Sequence, residues 1–211
     1  MKNMIKIFGV FFGMIICFLG KSQQNFALKE GDIIFQKLPC GNLCDAIIET
    51  TPCKVGRLFN HCGIIHFRND SAMVIEAHSP KVEETPFAKF IRRDKGDSIY
   101  IGRLNHGNIS NAIQLAQSQE GKPYDGVYLP TDSAIYCSEL VWKSYLDEDQ
   151  KPIFPPTPMT FKSPKTGATY TGWTTYYQSI QKEIPEGQLG TNPCAIANSD
   201  KIQFYALKKS L

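Results

Sequence analysis

Apolar positions fall into three short blocks in the first half of the chain and recur at helical spacing after residue 109. Gly31-Asp32-Ile33-Ile34-Phe35 reads as a buried strand opened by a turn. Phe59 to Phe67 and Ala72 to Ala77 read as two more strands. The Arg68-Asn69-Asp70-Ser71 segment between them predicts an antiparallel hairpin, because Asn and Asp tolerate the turn backbone. Residues 39–57 are irregular or partly helical, with Cys44 to Ile48 a candidate turn of helix. Thr85 starts a short helix carrying Phe87, Phe90 and Ile91 on one side and Arg92 and Arg93 near its end. Ser98 to Leu104 is a strand with Ile99 and Ile101 on one face. Ile109 to Glu120 is an amphipathic helix with Ile113, Leu115 and Ala116 inward; Gly121 ends it and Pro123 prevents a restart. A second helix covers 137–146, with Leu140, Val141, Ser144 and Tyr145 on one face. Residues 147–158 are charged and then proline-rich. Gly172 to Tyr177 is a short aromatic stretch, 185–193 is loop, and Lys201 to Leu207 is a last strand. The pattern predicts an α+β protein, a mainly antiparallel sheet with helices packed on it.

Composition narrows the setting. A chain of 211 residues suits one domain with a sizeable core. A net charge of +3 is too small to argue for a nucleic-acid partner. The N-terminus carries Lys2 and Lys6, an apolar run from Ile7 to Leu19, and small residues at Gly20 and Ser22. The run is short for a membrane span of roughly 20 residues. It reads as a signal peptide over 1–22, leaving a mature domain over 23–211 with no membrane span. Ile16 before Cys17 is too bulky for a lipoprotein signal, so the expected location is periplasmic or extracellular. Cleavage leaves Cys40, Cys44, Cys53, Cys62, Cys137 and Cys194. If Cys137 stays free, at most two bridges form among the other five and one thiol is left over; the pairing stays open. No Cys-x-x-Cys pair argues for zinc, and no cofactor is called for.

The candidate chemistry centres on Cys137. A loop with helix-start residues (130–134) precedes it, so it falls in the first turn of a helix. There the unpaired N–H groups and the macrodipole favour negative charge and lower a thiol pKa from its free value of about 8.5. The same N–H groups suit an oxyanion. The alternative is a buried structural cysteine on an amphipathic helix. A cysteine nucleophile needs a base, usually oriented by a third group. His61 and His66 sit at odd spacing on one strand and face opposite sides. His61 opens its strand and can reach a cleft, whereas His66 beside the turn is expected to be exposed. His78 follows strand three, and His106 is in a polar loop. Glu76 lies in an apolar strand and needs a partner. The hairpin brings 59–62 roughly opposite 76–79, which sets Glu76 beside His61. A salt bridge to Arg57, Arg92 or Arg93 is the structural alternative.

These residues resemble a known family. Gly31-Asp32-Ile33-Ile34-Phe35-Gln36, Cys40-Gly41-Asn42-Leu43-Cys44-Asp45-Ala46, Asn60-His61-Cys62-Gly63-Ile64, Ile75-Glu76-Ala77 and Tyr136-Cys137-Ser138-Glu139-Leu140-Val141-Trp142 are similar to the permuted papain-like amidases, the YiiX/YebB-like branch of the NlpC superfamily of cysteine hydrolases. Pro158-Met159-Thr160-Phe161 and Ile184-Pro185-Glu186-Gly187 extend the likeness over nearly the whole mature chain. The resemblance implies a circularly permuted papain-like fold with Cys137 as nucleophile, His61 as base and Glu76 orienting His61. It also implies that Tyr124 is an aromatic residue near the site, and Ser138 is a lesser candidate on the substrate or oxyanion side. Cys62 departs from the pattern, where Val or a similar residue is expected. It reads as core, facing away from His61's side; facing the cleft, it would be able to bridge Cys137 and silence the enzyme.

Three functions follow as expectations. The first is an exported thiol hydrolase of amide bonds, in cell-wall peptides or related amides. The second keeps the fold and acts on lipid esters or amides, as hydrolase or acyltransferase, with Phe59, Tyr124, Tyr128 and Trp142 lining an acyl groove. The third is a catalytically silent binding protein. An apolar tunnel beside Cys137 favours lipid; a polar groove with a charged end favours peptide.

Overall fold

The computed structural model describes residues 26–54, 58–94 and 98–208. The leader over 1–22 and Arg57 lie outside them. Six strands form one antiparallel sheet: β1 (Ile33–Gln36), β2 (His61–Arg68), β3 (Ser71–His78), β4 (Lys81–Pro86), β5 (Ser98–Leu104) and β8 (Ile202–Lys208), in the order β4-β3-β2-β1-β5-β8. Two further short strands, β6 (Thr157–Pro158) and β7 (Leu189–Gly190), pair separately. The helices are α1 (Asn42–Thr50), α2 (Phe87–Arg93), α3 (Ile109–Gln117), α4 (Cys137–Ser144), α5 (Thr171–Ser179) and α6 (Pro193–Ala197). This is the α+β architecture that the hydrophobic pattern predicts.

The β2–β3 hairpin turns on Asn69 and Asp70, both at positive φ (49° and 62°). That backbone matches the twist of the flanking strands. The turn sets the register: Arg68 pairs with Ser71, Ile65 with Val74 and Ile64 with Ile75. Because side chains alternate along a strand, this one register sorts the sheet into two apolar faces. Phe35, Cys62, Ile64, Ile75 and Ala77 face α3 and α4, meeting Ala112, Ile113, Ala116, Leu140 and Val141. Ile34, Ile65, Val74, Ile99 and Ile101 face the other way, toward Phe90 of α2. A third apolar cluster lies off the sheet, where Tyr128, Tyr136, Phe161, Trp173 and Tyr177 pack together around α5.

The structure corrects several readings. Thr85 does not start a helix; it is buried in β4, and α2 starts at Phe87. Strand β4 is the sheet's edge, and its Lys81, Glu83 and Glu84 give it the charged character that keeps an edge from pairing further, which hid it from a hydrophobic reading. In α3 the inward set is Ala112, Ile113 and Ala116, with Leu115 only half-buried. The aromatic stretch at 172–177 is the helix α5, and the 185–193 loop contains β7 and leads into α6. Two disulfides form, Cys40–Cys44 and Cys53–Cys194. Cys62 is the thiol left over, free and buried like Cys137.

Candidate active site

Cys137 is the first residue of α4. Its place there follows from the chain: Tyr136 is extended, its N–H donates to the Glu139 carboxylate at 3.3 Å, and the first intrahelical bond runs from Leu140 N–H to Tyr136 C=O at 3.0 Å. The N–H groups of Cys137 and Ser138 precede that bond, so the helix leaves them outside its own ladder. Apolar Leu140 and Val141 seat the helix on β2 and β3, which carries Cys137 to the start of β2.

His61 is the first residue of β2, fully paired with Gln36 of β1 and stacked on Phe90 at 5.7 Å. Its Nε2 lies 2.5 Å from Glu76 Oε2, and the Cys137 thiol is near enough to bear on the charge of the ring. The hairpin register makes the first contact possible, since Glu76 and His61 lie on the same sheet face of neighbouring strands. Gly63 stands between them on that face. A Cβ there would come within 2.5 Å of Val74 Cγ1 and 3.3 Å of Glu76 Cβ. The missing side chain lets the carboxylate reach along the strand to the imidazole. Arg93, at the end of α2, donates from its Nη2 to both oxygens of Glu76 at 2.7 Å. The two readings of Glu76 therefore coexist, one carboxylate serving both the histidine and the arginine.

The electrostatics follow from this chain of contacts. Burial alone would push His61 down, but its bonds to the Cys137 thiolate and to Glu76 outweigh it and raise the imidazole to about 9. Burial would push Glu76 up; the bond to His61 and the charges of His61 and Arg93 hold it instead at about 2. For Cys137 the largest influence is a hydrogen bond from the Cys62 thiol. Burial opposes it, His61 reinforces it, and the Cys62 N–H adds to it, so the thiol falls well below its ordinary value. Cys62 is itself pushed up, by burial and then by donating to Cys137. The arrangement favours a thiolate–imidazolium pair with a fixed carboxylate behind the ring.

Cys62 is where the sequence reading fell short. It does lie in the core beneath α4, on the opposite sheet face from His61, as alternation demands. That face is the one on which α4 begins, so Cys62 meets the Cys137 sulfur and does not stand apart from it. Ser138 is buried and donates its hydroxyl to Thr191 C=O at 3.1 Å, while Tyr136 accepts from Thr191 N–H at 3.1 Å. Together they clamp the 190–193 segment to the start of α4. His66 is not exposed: its side chain is only 17% accessible, its Nδ1 is 2.5 Å from Glu30, and Gln117 reaches its other nitrogen. His78 lies edge-on to His61 at 5.7 Å, so a second imidazole borders the site.

Beside Cys137 opens a cavity of about 140 Å³. Tyr124 lines it, as do Tyr128, Tyr136, Phe161 and Trp173. Phe59 and Trp142 do not; Phe59 belongs to an aromatic stack with Phe35, Tyr100 and Phe204. Tyr128 takes a positive φ of 60°, costly for a bulky residue, and its loop is held by the Asp125 carboxylate accepting from the Val127 and Leu129 N–H groups at 2.7 Å. Tyr124 and Tyr128 of the expected groove do line it; Thr50, Tyr136, Phe161 and Trp173 are the part of the wall that sequence reasoning missed, and the Pro158-Met159-Thr160-Phe161 motif was a signal for it.

Among the described residues no group of three or more His, Cys, Asp or Glu side chains is arranged to hold a metal ion, and no helix is long and apolar enough to cross a membrane. Residues 27–205 match the family model of the permuted papain-like amidase enzymes, the YaeF/YiiX, C92 family. The chain is 34% identical over 121 residues to the uncharacterized protein YiiX of Escherichia coli (strain K12), a stretch covering 56% of this chain and 57% of that relative's length. The crystal structure of a metalloprotein YiiX from Escherichia coli O157:H7 superimposes with a TM-score of 0.70 at 24% identity, covering 86% of this chain and 97% of the other. The described residues of this chain offer no donor set that fits a metal. A permuted papain-like fold, a cysteine at a helix start and a model match over almost all the described chain make this protein a member of the permuted papain-like amidase family.

Proposed function

We propose that the protein is an exported cysteine hydrolase that cleaves amide bonds through Cys137, His61 and Glu76. One observation carries the reading: the cysteine, the histidine and the glutamate, from three separate elements, meet at the start of α4, with His61 bonded to Glu76 at 2.5 Å and with Cys137 and His61 each shifted toward the ion pair by the other. The Cys137 thiolate attacks the substrate carbonyl. The N–H groups of Cys137 and Ser138 stabilise the oxyanion. His61 gives its proton to the leaving amine as the C–N bond breaks, leaving a thioester. His61 then takes a proton from water, which attacks the thioester and returns the thiol. Glu76, fixed by Arg93, keeps the ring oriented and offsets its charge. Two disulfides support a location outside the cytoplasm, where such bonds persist. Peptides of the cell wall and acyl amides or esters of lipids both suit this chemistry; they differ in what must lie beside the scissile carbonyl.

Labelling with a thiol-reactive probe across pH, read by mass spectrometry, tests the proposal. Cys137 is expected to react in the acidic range while Cys62 stays silent. Cys137→Ala is expected to lower amide hydrolysis by roughly 10⁴-fold or more with the fold intact. Unchanged turnover in that variant would falsify the assignment.

A further inference from the structure

We infer that Cys62 is a resolving thiol for Cys137: when a peroxide oxidises the Cys137 sulfur, Cys62 closes a disulfide onto it and holds the site in an inactive form that a thiol reductant reopens. Three observations carry this. First, among the described residues Cys40 is bonded to Cys44 and Cys53 to Cys194, while Cys62 and Cys137 stay free. Second, those two thiols meet. Cys62 is the second residue of β2 and Cys137 the first of α4; the helix packs on that strand, and both residues belong to the same buried cluster. Cys62 is near enough that its thiol and its backbone N–H both bear on the charge of the Cys137 sulfur. It approaches from beneath the helix, so a bridge between them needs no path through the cleft. Third, the two differ in access and in charge. Cys137 lines the cavity, whereas Cys62 does not and is fully buried. Cys62 and His61 hold Cys137 toward the thiolate against the effect of burial; burial and the neighbouring Cys137 hold Cys62 toward the thiol. Thiolate character and exposure decide which sulfur an oxidant takes. Both select Cys137, with a protonated partner directly behind it.

A hydroperoxide is the oxidant this chemistry needs. The Cys137 thiolate attacks one peroxide oxygen and the O–O bond breaks. The sulfur is oxidised to the sulfenic acid, and the second oxygen leaves as water after taking the proton of the His61 imidazolium. The Cys62 sulfur then displaces the sulfenic oxygen. An S–S bond forms, the S–O bond breaks, and the hydroxyl departs as water with the Cys62 proton. Two molecules of a thiol reductant reverse the bridge by exchange and become one disulfide. Among the described residues Cys62 is the one free thiol that Cys137 has for this step. Without it the sulfenic acid goes on to the sulfinic acid, which thiols do not reduce.

Differential alkylation of the full chain tests this. The protein is exposed to a small excess of hydrogen peroxide, its remaining thiols are capped with N-ethylmaleimide in acidic denaturant, and unreduced digests are read by mass spectrometry. A peptide linking Cys62 to Cys137 is expected to account for most of the Cys137 lost from the capped pool, with the Cys40–Cys44 and Cys53–Cys194 links unchanged. Reduced glutathione, added before capping, is expected to return that Cys137 to the pool. In Cys62→Val the oxidised Cys137 is expected as sulfinic acid, and the recovery with glutathione is expected to be lost. The comparison is of the fate of oxidised Cys137 and not of its rate of oxidation, because the substitution also changes the reactivity of the thiol. A parent digest in which Cys137 is joined to another cysteine, or is taken to sulfinic acid with no link to Cys62, overturns the inference, and that measurement needs no variant to fold. The assay reads sulfur and not turnover, so its failure is distinct from failure of the hydrolase assignment.

Discussion

The reactive half of the site and the receiving half are built by different means. His61, Glu76 and Gly63 are placed by strand register, and a register is fixed once the Asn69-Asp70 turn is fixed. The cavity is placed by a loop at positive φ, a two-residue strand pair and the helix α5, brought together by Tyr128, Phe161, Trp173 and Tyr177. The regular half holds charge and protons, for which tenths of an ångström matter. The irregular half holds shape, which can be rebuilt without disturbing the chemistry. The difference teaches that the two should fail separately.

The largest separation is expected from Glu76→Gln. It keeps the shape but removes the charge behind His61 and leaves Arg93 facing an amide, and kcat/KM should fall by roughly 10²- to 10⁴-fold. Stability should respond in a defined window. The Glu76 carboxyl is lowered from 4.5 to about 2, so its contribution is present above the ordinary value and is lost as pH falls from about 4.5 toward about 2. His61, raised from 6.5 to about 9, contributes fully below 6.5 and loses that contribution as pH rises through about 9. Acid and alkaline melting of the parent and the Gln variant reads both limbs, and a Gln variant that melts like the parent between pH 4.5 and 6.5 would show that Glu76 is not held ionised.

In the receiving half, Trp173→Ala removes a nearly buried ring and should cost about 3–5 kcal/mol, measured by urea unfolding. The pH profile for alkylation of Cys137 should not move, and a shifted profile would mean that the two halves are coupled. Gly63→Ala returns to the register half. Its Cβ has Val74 against it, so about 1–3 kcal/mol of stability should be lost, and turnover should fall with the displaced carboxylate. The smallest effect is that of Cys62→Val. It withdraws the hydrogen bond that most lowers the Cys137 thiol, so the alkylation midpoint should rise while the fold, with a core residue of similar size, is kept. An unchanged midpoint would move that role to His61.

How much of this the sequence discloses follows the same division. The hairpin, the helix-start cysteine and the pairing of Glu76 with His61 are written in alternation, turn residues and helical spacing, all local codes. Strand β4 escaped because an edge strand is charged for its own reasons. The role of Cys62 escaped because alternation tells which face a residue occupies but not which helix will cover that face. Beyond Tyr124 and Tyr128 the cavity wall escaped: Thr50 and Trp173 meet across 123 positions of chain, and no periodicity announces such a meeting.

The Cys53–Cys194 bond joins residues 141 positions apart and so encloses β2, the whole β2–β3 hairpin, α4 and α5 in one covalent ring. A protease that cuts any exposed loop inside this ring severs the backbone without releasing a fragment. Trimmed protein should run as a single band without reductant and as two with it. A single nick is then an injury the molecule can carry without coming apart.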